Sequence, residues 1–384
     1  MTNKKITIPF NKPFIAGKEL FYIAQAVIEN HHTAGDGTFT KKCQAWLEKS
    51  LGSPKSLLTH SCTAALEMAA ILANILAGDE IIMPSYTFVS TANAFVLRGG
   101  IPVFVDIHPD TLNINETLIE EAITSKTRAI VPVHYAGVPC QMDTIMDIAK
   151  RKRLLVIEDA AQALLSRYHD RYIGTIGDMA CLSFHETKNI ISGEGGAVLI
   201  NDPSLIERAE VIREKGTNRS QFFRGQVDKY TWVDIGSSFL PSDIIAAFLY
   251  AQMENADQII AQRNLIYDLY MEGLQPLAEK GCIQLPFILN DCCSNGHMFY
   301  IITGSLEERT KLTEFLKERG IMAVFHYVPL HSSPAGKLHG RAYGTLDVTK
   351  KVSDCLLRLP LYNEMTNNDV HSVTEAIIDF YKNS

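Results

Sequence analysis

A single lysine lies between two short apolar runs, and its surroundings could give it unusual chemistry. The run 179–184 breaks into a polar segment that carries Lys188, and a glycine-rich turn then leads into the second run, 197–200. This pattern predicts a strand, a loop and a second strand. An amine held among apolar neighbours has its charged form disfavoured, which lowers its pKa and lets it attack a carbonyl. Lys188 could therefore hold an aldehyde cofactor as a Schiff base, although an ordinary surface lysine is the plainer interpretation.

A carboxylate upstream of the lysine favours the chemical interpretation. Residues 154–162 form an apolar run that is too continuous for a half-exposed strand, and the run ends near Glu158 and Asp159. In open α/β sheets, ligands bind beyond the carboxyl ends of the strands. An acid at that point could keep the pyridine nitrogen of pyridoxal phosphate (PLP) protonated, so that the ring withdraws electrons. The alternative role for Asp159 is a helix N-cap.

Four short segments extend this pattern along the chain: 84–93 (PSYTFVSTAN), 159–162 (DAAQ), 183–189 (SFHETKN) and 193–196 (GEGG). Together they resemble the DegT-type nucleotide-sugar aminotransferases, which are PLP enzymes of aminotransferase fold type I. The resemblance covers nearly the whole chain. It implies that Lys188 is the Schiff-base lysine and that Asp159 is the partner of the pyridine nitrogen.

The order of apolar and helical patterns predicts the fold class. Strand-like runs alternate with helical patterns through residue 200, which predicts a mostly parallel sheet covered by helices on both faces. The resemblance implies an α/β protein of fold type I with a large PLP-binding domain (1–250, including an N-terminal arm, 1–35) and a small α+β C-terminal domain (251–384). In the C-terminal part we expect a bridging helix over 246–270, strands over 297–303 and 322–327, and helices over 306–319 and 349–357.

The cofactor phosphate has a candidate site where a predicted helix begins. Hydroxyls and free N–H groups at a helix start bind anions, because the orphan donors and the helix dipole both favour negative charge. Such a group precedes the helical pattern that begins near residue 65, and it consists of Ser61, Cys62 and Thr63. An ordinary Ser/Thr N-cap is equally good on local grounds. The resemblance assigns the phosphate to these three residues.

The resemblance also implies contacts to the rest of the cofactor. By motif position Phe88 stacks on the pyridine ring, which contributes about 1 kcal/mol beyond burial, and Tyr86 is the competing candidate. Ser238 stands where many relatives have an asparagine that reaches the cofactor phosphate of the neighbouring subunit, and its hydroxyl could take that role. Further contacts are implied for Gln162 and Ser183.

Two segments are candidates for substrate binding. A long segment with interleaved aromatic residues, 213–230, contains basic residues that could bind a nucleotide diphosphate, namely Arg219, Arg224 and Lys229. A solvated loop is the alternative. The segment 325–331 matches a family segment that borders the active site, so His326 and His331 are candidate substrate contacts; packed histidines are the alternative.

The resemblance implies a two-stage amino transfer from L-glutamate to a nucleotide-linked keto-sugar. The run 213–232 and the turn 134–137 are most similar to the members that convert dTDP-4-dehydro-6-deoxy-D-glucose to dTDP-4-amino-4,6-dideoxy-D-galactose. A 3-amino or gluco-configured product stays open, since the face of proton delivery depends on fine placement. Two rivals are a sugar dehydratase, in which a histidine replaces the lysine, and a catalytically silent module on the same fold. The presence of Lys188 argues against the first, and the lysine, acid and phosphate cradle together argue against the second.

Composition limits the class of protein. The 384 residues are 46% hydrophobic and 21% charged, which fits a globular protein with one large core and a smaller lobe. A net charge of −7 without a basic tail argues against nucleic-acid binding. The eight cysteines lack paired metal-ligand spacing, which indicates free thiols in a reducing cytoplasm and no metal. No membrane span or signal peptide is expected. Fold type I enzymes build their sites at dimer interfaces, so the resemblance implies a homodimer with shared active sites.

Overall fold

An eight-stranded sheet forms the centre of the computed structural model, which describes residues 6–382. The strands of the chain are β1 (Lys55–Thr59), β2 (Glu80–Pro84), β3 (Ile101–Val105), β4 (Thr127–Ile130), β5 (Leu155–Asp159), β6 (Arg167–Tyr168), β7 (Arg171–Tyr172), β8 (Met179–Ser183), β9 (Gly196–Ile200), β10 (Cys292–Cys293), β11 (Phe299–Ile302), β12 (Arg341–Ala342) and β13 (Leu356–Leu359). The large sheet has the order β1-β9-β8-β5-β4-β2-β3-β12. Only β9 runs antiparallel to its neighbours, β1 and β8. The predicted mostly parallel sheet is confirmed.

Helices cover both faces of this sheet. The helices of the described residues are α1 (Glu19–Ala24), α2 (Thr38–Leu51), α3 (Cys62–Leu72), α4 (Val89–Val96), α5 (Ile119–Ala122), α6 (Met142–Lys152), α7 (Ile206–Arg213), α8 (Arg219–Phe223), α9 (Asp243–Met253), α10 (Ala256–Glu279), α11 (Leu306–Glu318), α12 (Pro334–His339), α13 (Asp347–Cys355) and α14 (Asn367–Lys382). A π-helical turn, Gln25–Glu29, continues α1. In the part of the chain that the structure describes, no helix is long and apolar enough to cross a membrane.

The alternation of side chains along each strand produces two cores. In β2, Ile82 packs with residues of α2, α6 and α9, whereas Ile81 and Met83 pack on the opposite face with residues of α3, α4 and α7. Because both faces are covered, the strands contain continuous apolar runs instead of a strict alternation of apolar and polar residues. This double burial explains why short continuous apolar runs predicted the strands correctly.

The C-terminal part has a core of its own. Strands β11 and β13 pair antiparallel, and α10, α11 and α14 pack around them. The short strand β12 instead pairs with β3 and extends the large sheet. The N-terminal arm also reaches this part, because Ile8 pairs with Ile321. The division of the chain at residue 250 stays a prediction.

Two predicted C-terminal elements were wrong in detail. The helix expected over 246–270 is interrupted between α9 and α10, where the Asn255 side chain donates a hydrogen bond to the Ala251 carbonyl (2.9 Å). Asparagine side chains compete with the helix for backbone groups in this way. The strand expected over 322–327 contains only one isolated bridge, between Val324 and Arg358, and Tyr327 adopts a left-handed backbone conformation (φ 54°) that ends the extended segment.

Candidate active site

The structure brings most of the predicted site residues to one cavity at the carboxyl ends of β1, β5 and β8. The cavity has a volume of about 820 Å³. Strand β9 begins at this same edge, because Gly196 pairs with both Thr59 and Ser183. The predicted residues that line the cavity are Ser61, Cys62, Thr63, Phe88, Asp159, Gln162, Ser183, Lys188 and His326.

Lys188 lies in a tight connection between β8 and β9. Backbone N–H groups of Phe184 and Glu186 donate to the carbonyls of Gly195 and Gly193 (2.9 Å each), and Gly193 has a positive φ of 80° that suits glycine. The Lys188 N–H donates to the His185 carbonyl (2.9 Å). Burial lowers the pKa of the Lys188 amine below its ordinary value, against the opposing influence of Cys62 and Asp159. The cavity therefore holds an amine that loses its proton more readily than a surface lysine.

Two hydrogen bonds hold the Asp159 side chain in place on the cavity wall. Its side chain is buried, and its two oxygens accept hydrogen bonds from the Thr91 hydroxyl (2.7 Å) and the Ala161 N–H (3.2 Å). The Thr91 hydroxyl is in turn bonded to the Thr87 hydroxyl (2.9 Å). These hydrogen bonds fix the position of the carboxylate, which could accept a hydrogen bond from a protonated ring nitrogen.

The start of α3 forms an anion-binding edge of the cavity. Ser61 is the N-cap of α3, and its hydroxyl accepts a hydrogen bond from the Ala64 N–H (3.0 Å). Ser61 is therefore both a helix cap and one of the predicted phosphate contacts. The N–H groups of the first turn, including those of Cys62 and Thr63, have no partner inside a helix. A Cβ on Gly196 would lie 2.5 Å from the Cys62 nitrogen, so only glycine lets β9 approach this turn.

These groups of the cavity wall fit PLP. The helix start offers N–H groups and hydroxyls to a phosphate, Asp159 offers a carboxylate to the pyridine nitrogen, and Lys188 offers an amine to the aldehyde. Phe88 borders the same cavity with 56% of its surface exposed, whereas Tyr86 is fully buried and donates its hydroxyl to the His326 carbonyl (2.8 Å). Of the two aromatic candidates, only Phe88 presents a ring to the cavity.

Residues 15–378 match the DegT/DnrJ/EryC1/StrS aminotransferase family. The chain belongs to this family. GDP-perosamine synthase of Escherichia coli O157:H7 is 30% identical over 375 residues, which cover 97% of this chain and 98% of that protein. DesV of S. venezuelae, solved in complex with a ketimine intermediate, is 30% identical with a TM-score of 0.88, covering 97% and 98% of the two chains. The sugar aminotransferase Spr1654 of Streptococcus pneumoniae, described as putative and solved in its PLP form, is 26% identical with a TM-score of 0.89, covering 98% and 99%.

The protein is therefore a PLP-dependent sugar aminotransferase of fold type I. Further residues that the sequence had not singled out shape its site. Tyr327 stacks on His326 with ring centroids 3.5 Å apart, and its hydroxyl accepts from Gln162 Nε2 (2.9 Å). Gln162 Oε1 accepts from the Ala136 N–H (2.7 Å). The amide of Gln162 keeps one N–H free for a ligand, and its orientation is set by these two bonds.

His326 is a packed histidine as well as a cavity residue. Its Nδ1 is 2.7 Å from the Tyr135 hydroxyl, and burial holds the pKa of the imidazole well below its ordinary value. The ring is therefore neutral at pH 7. Because Tyr135 occupies Nδ1, only Nε2 is left to meet a ligand.

The aminotransferase has five predicted site residues that do not line the cavity of their own chain. Arg224 pairs with Glu210 (2.7 Å), Arg219 pairs weakly with Glu214 (3.5 Å), and Lys229 is exposed. Ser238 is exposed and forms a backbone bridge with Glu214. His331 bonds to the Ser85 hydroxyl through Nδ1 (2.7 Å) instead of facing the cavity. Within one chain, none of these five residues lines the cavity that contains Lys188.

A network of buried polar groups surrounds Glu158, the residue next to Asp159. The neighbouring Glu158 is fully buried and accepts from His134 Nε2 (3.1 Å) and from the N–H groups of Gly174, Ile176 and Gly177 (2.7–2.9 Å). Burial alone would raise the pKa of Glu158, but these hydrogen bonds hold the pKa below its ordinary value. The sequence contained no signal for this network, because its members are distributed over 44 positions.

Proposed function

We propose that this aminotransferase moves an amino group from L-glutamate to dTDP-4-dehydro-6-deoxy-D-glucose, giving dTDP-4-amino-4,6-dideoxy-D-galactose. The observation on which the proposal depends is that Lys188 and Asp159 line one cavity large enough for a cofactor and a sugar. The lowered pKa of Lys188 supports its role as the reacting amine. We therefore assign Lys188 and Asp159 as the catalytic residues.

When bound, PLP supplies an aldehyde that takes up an amino group and a pyridine ring that withdraws electrons. Lys188 moves a proton at the α-carbon of the donor as a general base, which requires an amine whose pKa is close to the working pH. Asp159 holds a proton on the ring nitrogen, and Thr91 keeps this carboxylate in place. The start of α3 would bind the phosphate, Phe88 would pack on the ring, and Ser183 and Gln162, which line the same cavity, would contact the rest of the cofactor.

The identity of the acceptor is supported by sequence likeness. The segment 213–232 and the turn 134–137 resemble the dTDP-4-amino-4,6-dideoxygalactose transaminases. A GDP-linked 4-keto-sugar is the second candidate, because a relative that is 30% identical is a GDP-perosamine synthase. The experiment is incubation with L-glutamate and either the dTDP-linked or the GDP-linked 4-keto-6-deoxyhexose, followed by NMR of the product. A galacto-configured 4-amino product from the dTDP sugar is expected. A gluco-configured or dehydrated product would contradict the proposal, and so would a lack of turnover of this 4-keto sugar, the result expected of a 3-amino transaminase.

We also propose a homodimer with shared active sites in the cytoplasm. The segment 219–235 exposes apolar side chains, including those of Phe223, Tyr230, Trp232 and Val233. The basic candidates Arg219, Arg224 and Lys229, and also Ser238, would then serve the cavity of the neighbouring copy. Light scattering should give about twice the chain mass of 42.7 kDa. A fully active monomer would contradict this arrangement. All eight cysteines are free thiols, as expected of a reducing compartment.

A further inference from the structure

The wall of the cavity contributed by β13 contains a guanidinium group with almost no partners. Arg358 donates one long hydrogen bond, from Nη2 to the Phe325 carbonyl (3.3 Å), and lies over the Phe10 ring at 4.6 Å. Its Nε is buried without any hydrogen-bond partner. Among the described residues, no carboxylate pairs with it. A guanidinium has five N–H donors, so most of its binding capacity is unused.

Partial burial of an unpaired charge is costly, and among the described residues only the Phe325 carbonyl and the Phe10 ring compensate for it. Desolvation lowers the pKa of Arg358, the direction expected of a cation without an anion beside it. The backbone of Arg358 is nevertheless fixed, because its N–H and carbonyl pair with Val324 (2.8 and 3.1 Å). A rigid, desolvated and unpaired cation on a cavity wall is suited to an anionic ligand.

The second arginine of the cavity provides an internal comparison. Arg263 is also buried, but its Nε donates to the Gly296 carbonyl (3.1 Å) and its Nη2 donates to the carbonyls of His297 (2.7 Å) and Leu361 (3.3 Å). Its donors are consumed by the fold. Arg358 is therefore the cavity guanidinium that is available to a ligand.

We propose that Arg358 binds the α-carboxylate of the amino-acid donor. This inference rests on the proposed function, in which the donor is L-glutamate. In an amino acid the carboxylate is attached to the same carbon as the reacting amine, so its receptor must lie near Lys188. In a nucleotide-linked 4-keto-sugar, the diphosphate is attached to C1, across the sugar ring from the reacting carbon.

The electrostatics of the cavity agree with a position near the lysine. The charge of Arg358 adds to the effect of burial in lowering the pKa of Lys188. It acts in the same direction on His326, where burial is again the larger cause. The two carboxylates of the wall do not compete for the guanidinium, because Asp159 is bonded to Thr91 and Glu194 lies 3.7 Å from His185. The carboxylate of the donor could therefore form a bidentate salt bridge with the planar guanidinium group of Arg358.

The test separates the two half-reactions in the holoenzyme. Arg358→Met keeps the apolar part of the side chain and removes the charge. Arg358→Lys keeps the charge and removes the planar guanidinium group. The matched control is Arg309→Lys, since Arg309 lies on α11 outside the cavity and donates to the Ser353 carbonyl (2.9 Å). Conversion of the PLP form by L-glutamate is followed from the visible absorbance. Conversion of the aminated form by the keto-sugar is followed from the recovery of that absorbance.

We expect Arg358→Met to raise the glutamate KM by about 10- to 100-fold, the loss expected for a charge-assisted hydrogen-bonded pair. Arg358→Lys should restore part of this loss, and the keto-sugar KM should stay unchanged in both variants. Binding of glutarate, a dicarboxylate that lacks the amine, should weaken by a similar factor in calorimetry. The control should match the wild type in all three measurements.

Three results would overturn the inference about Arg358. The first is an unchanged glutamate KM in Arg358→Met, and the second is a loss confined to the keto-sugar half-reaction, which would indicate a phosphate contact instead. The third applies if Arg358→Met fails to fold: an unchanged glutamate KM in Arg358→Lys would then be sufficient to overturn the inference, because lysine lacks the planar guanidinium group. A wild-type enzyme that does not react with L-glutamate would instead refute the proposed donor.

Discussion

The buried Glu158 offers the sharpest test of how the site is supported. In Glu158→Gln, the amide nitrogen replaces one carboxylate oxygen and leaves two donors facing an N–H group. In the wild type, one oxygen accepts from Ile176 and Gly177, and the other accepts from His134 and Gly174. Each buried donor that loses its partner costs about 1–3 kcal/mol, so the two together cost about 4 kcal/mol. This value agrees with the loss seen when one partner of a buried ion pair is removed.

The assay is thermal unfolding of the holoenzyme at pH 7, followed by circular dichroism. For a chain of 384 residues, a loss of about 4 kcal/mol lowers Tm by about 5 °C. The control is Glu314→Gln, an exposed residue on α11 for which we expect a change within about 0.5 kcal/mol. A Glu158→Gln protein that unfolds at the wild-type temperature would refute the reasoning.

The pH dependence of this difference provides a second check. The folded pKa of Glu158 lies below its ordinary value of 4.5. Its stabilising contribution is therefore fully present above pH 4.5 and is lost as the pH falls through the folded pKa. The difference in Tm between wild type and Glu158→Gln should be constant near neutral pH and should shrink in acid below pH 4.5. A difference that grows on acidification would contradict the assigned charge state.

Three further substitutions test the cofactor site. Lys188→Ala should abolish the visible absorbance of the PLP-bound protein and lower turnover at least about 1,000-fold. Borohydride should no longer fix the cofactor to this variant. A coloured, active variant would exclude the assigned role of Lys188. Thr91→Val removes a hydrogen bond to the Asp159 carboxylate and should weaken PLP binding about tenfold in equilibrium dialysis. Unchanged binding would show that the position of Asp159 does not depend on Thr91. Gly196→Ala places a Cβ 2.5 Å from the Cys62 nitrogen and should destabilise the protein by about 1–3 kcal/mol in thermal unfolding; a neutral result would mean that the turn can move.

Local sequence patterns were sufficient for the elements that place the site. The strands β5, β8 and β9 are buried on both faces, so continuous apolar runs identified them, and glycines identified the turn after Lys188. The helix break at Asn255 was missed because it depends on a side-chain bond to the backbone that asparagine makes only in some contexts. The left-handed Tyr327 was missed for a similar reason, since no residue preference indicates a positive φ at tyrosine.

The sequence by itself indicated the class of chemistry, because a lysine loop, an acid at a strand end and a hydroxyl-rich helix start occur together in segments that resemble the DegT-type aminotransferases. Only the tertiary structure decided which other side chains meet them. It brought Thr91, Tyr327 and Arg358 to the cavity and left Arg219, Arg224 and Lys229 outside the cavity of their own chain. The physical reason is that hydrogen-bond partners and unpaired charges are properties of neighbours in space. Residues far apart along the chain, such as Arg358 and Lys188, become neighbours only when the sheet and the C-terminal strands pack around one cavity.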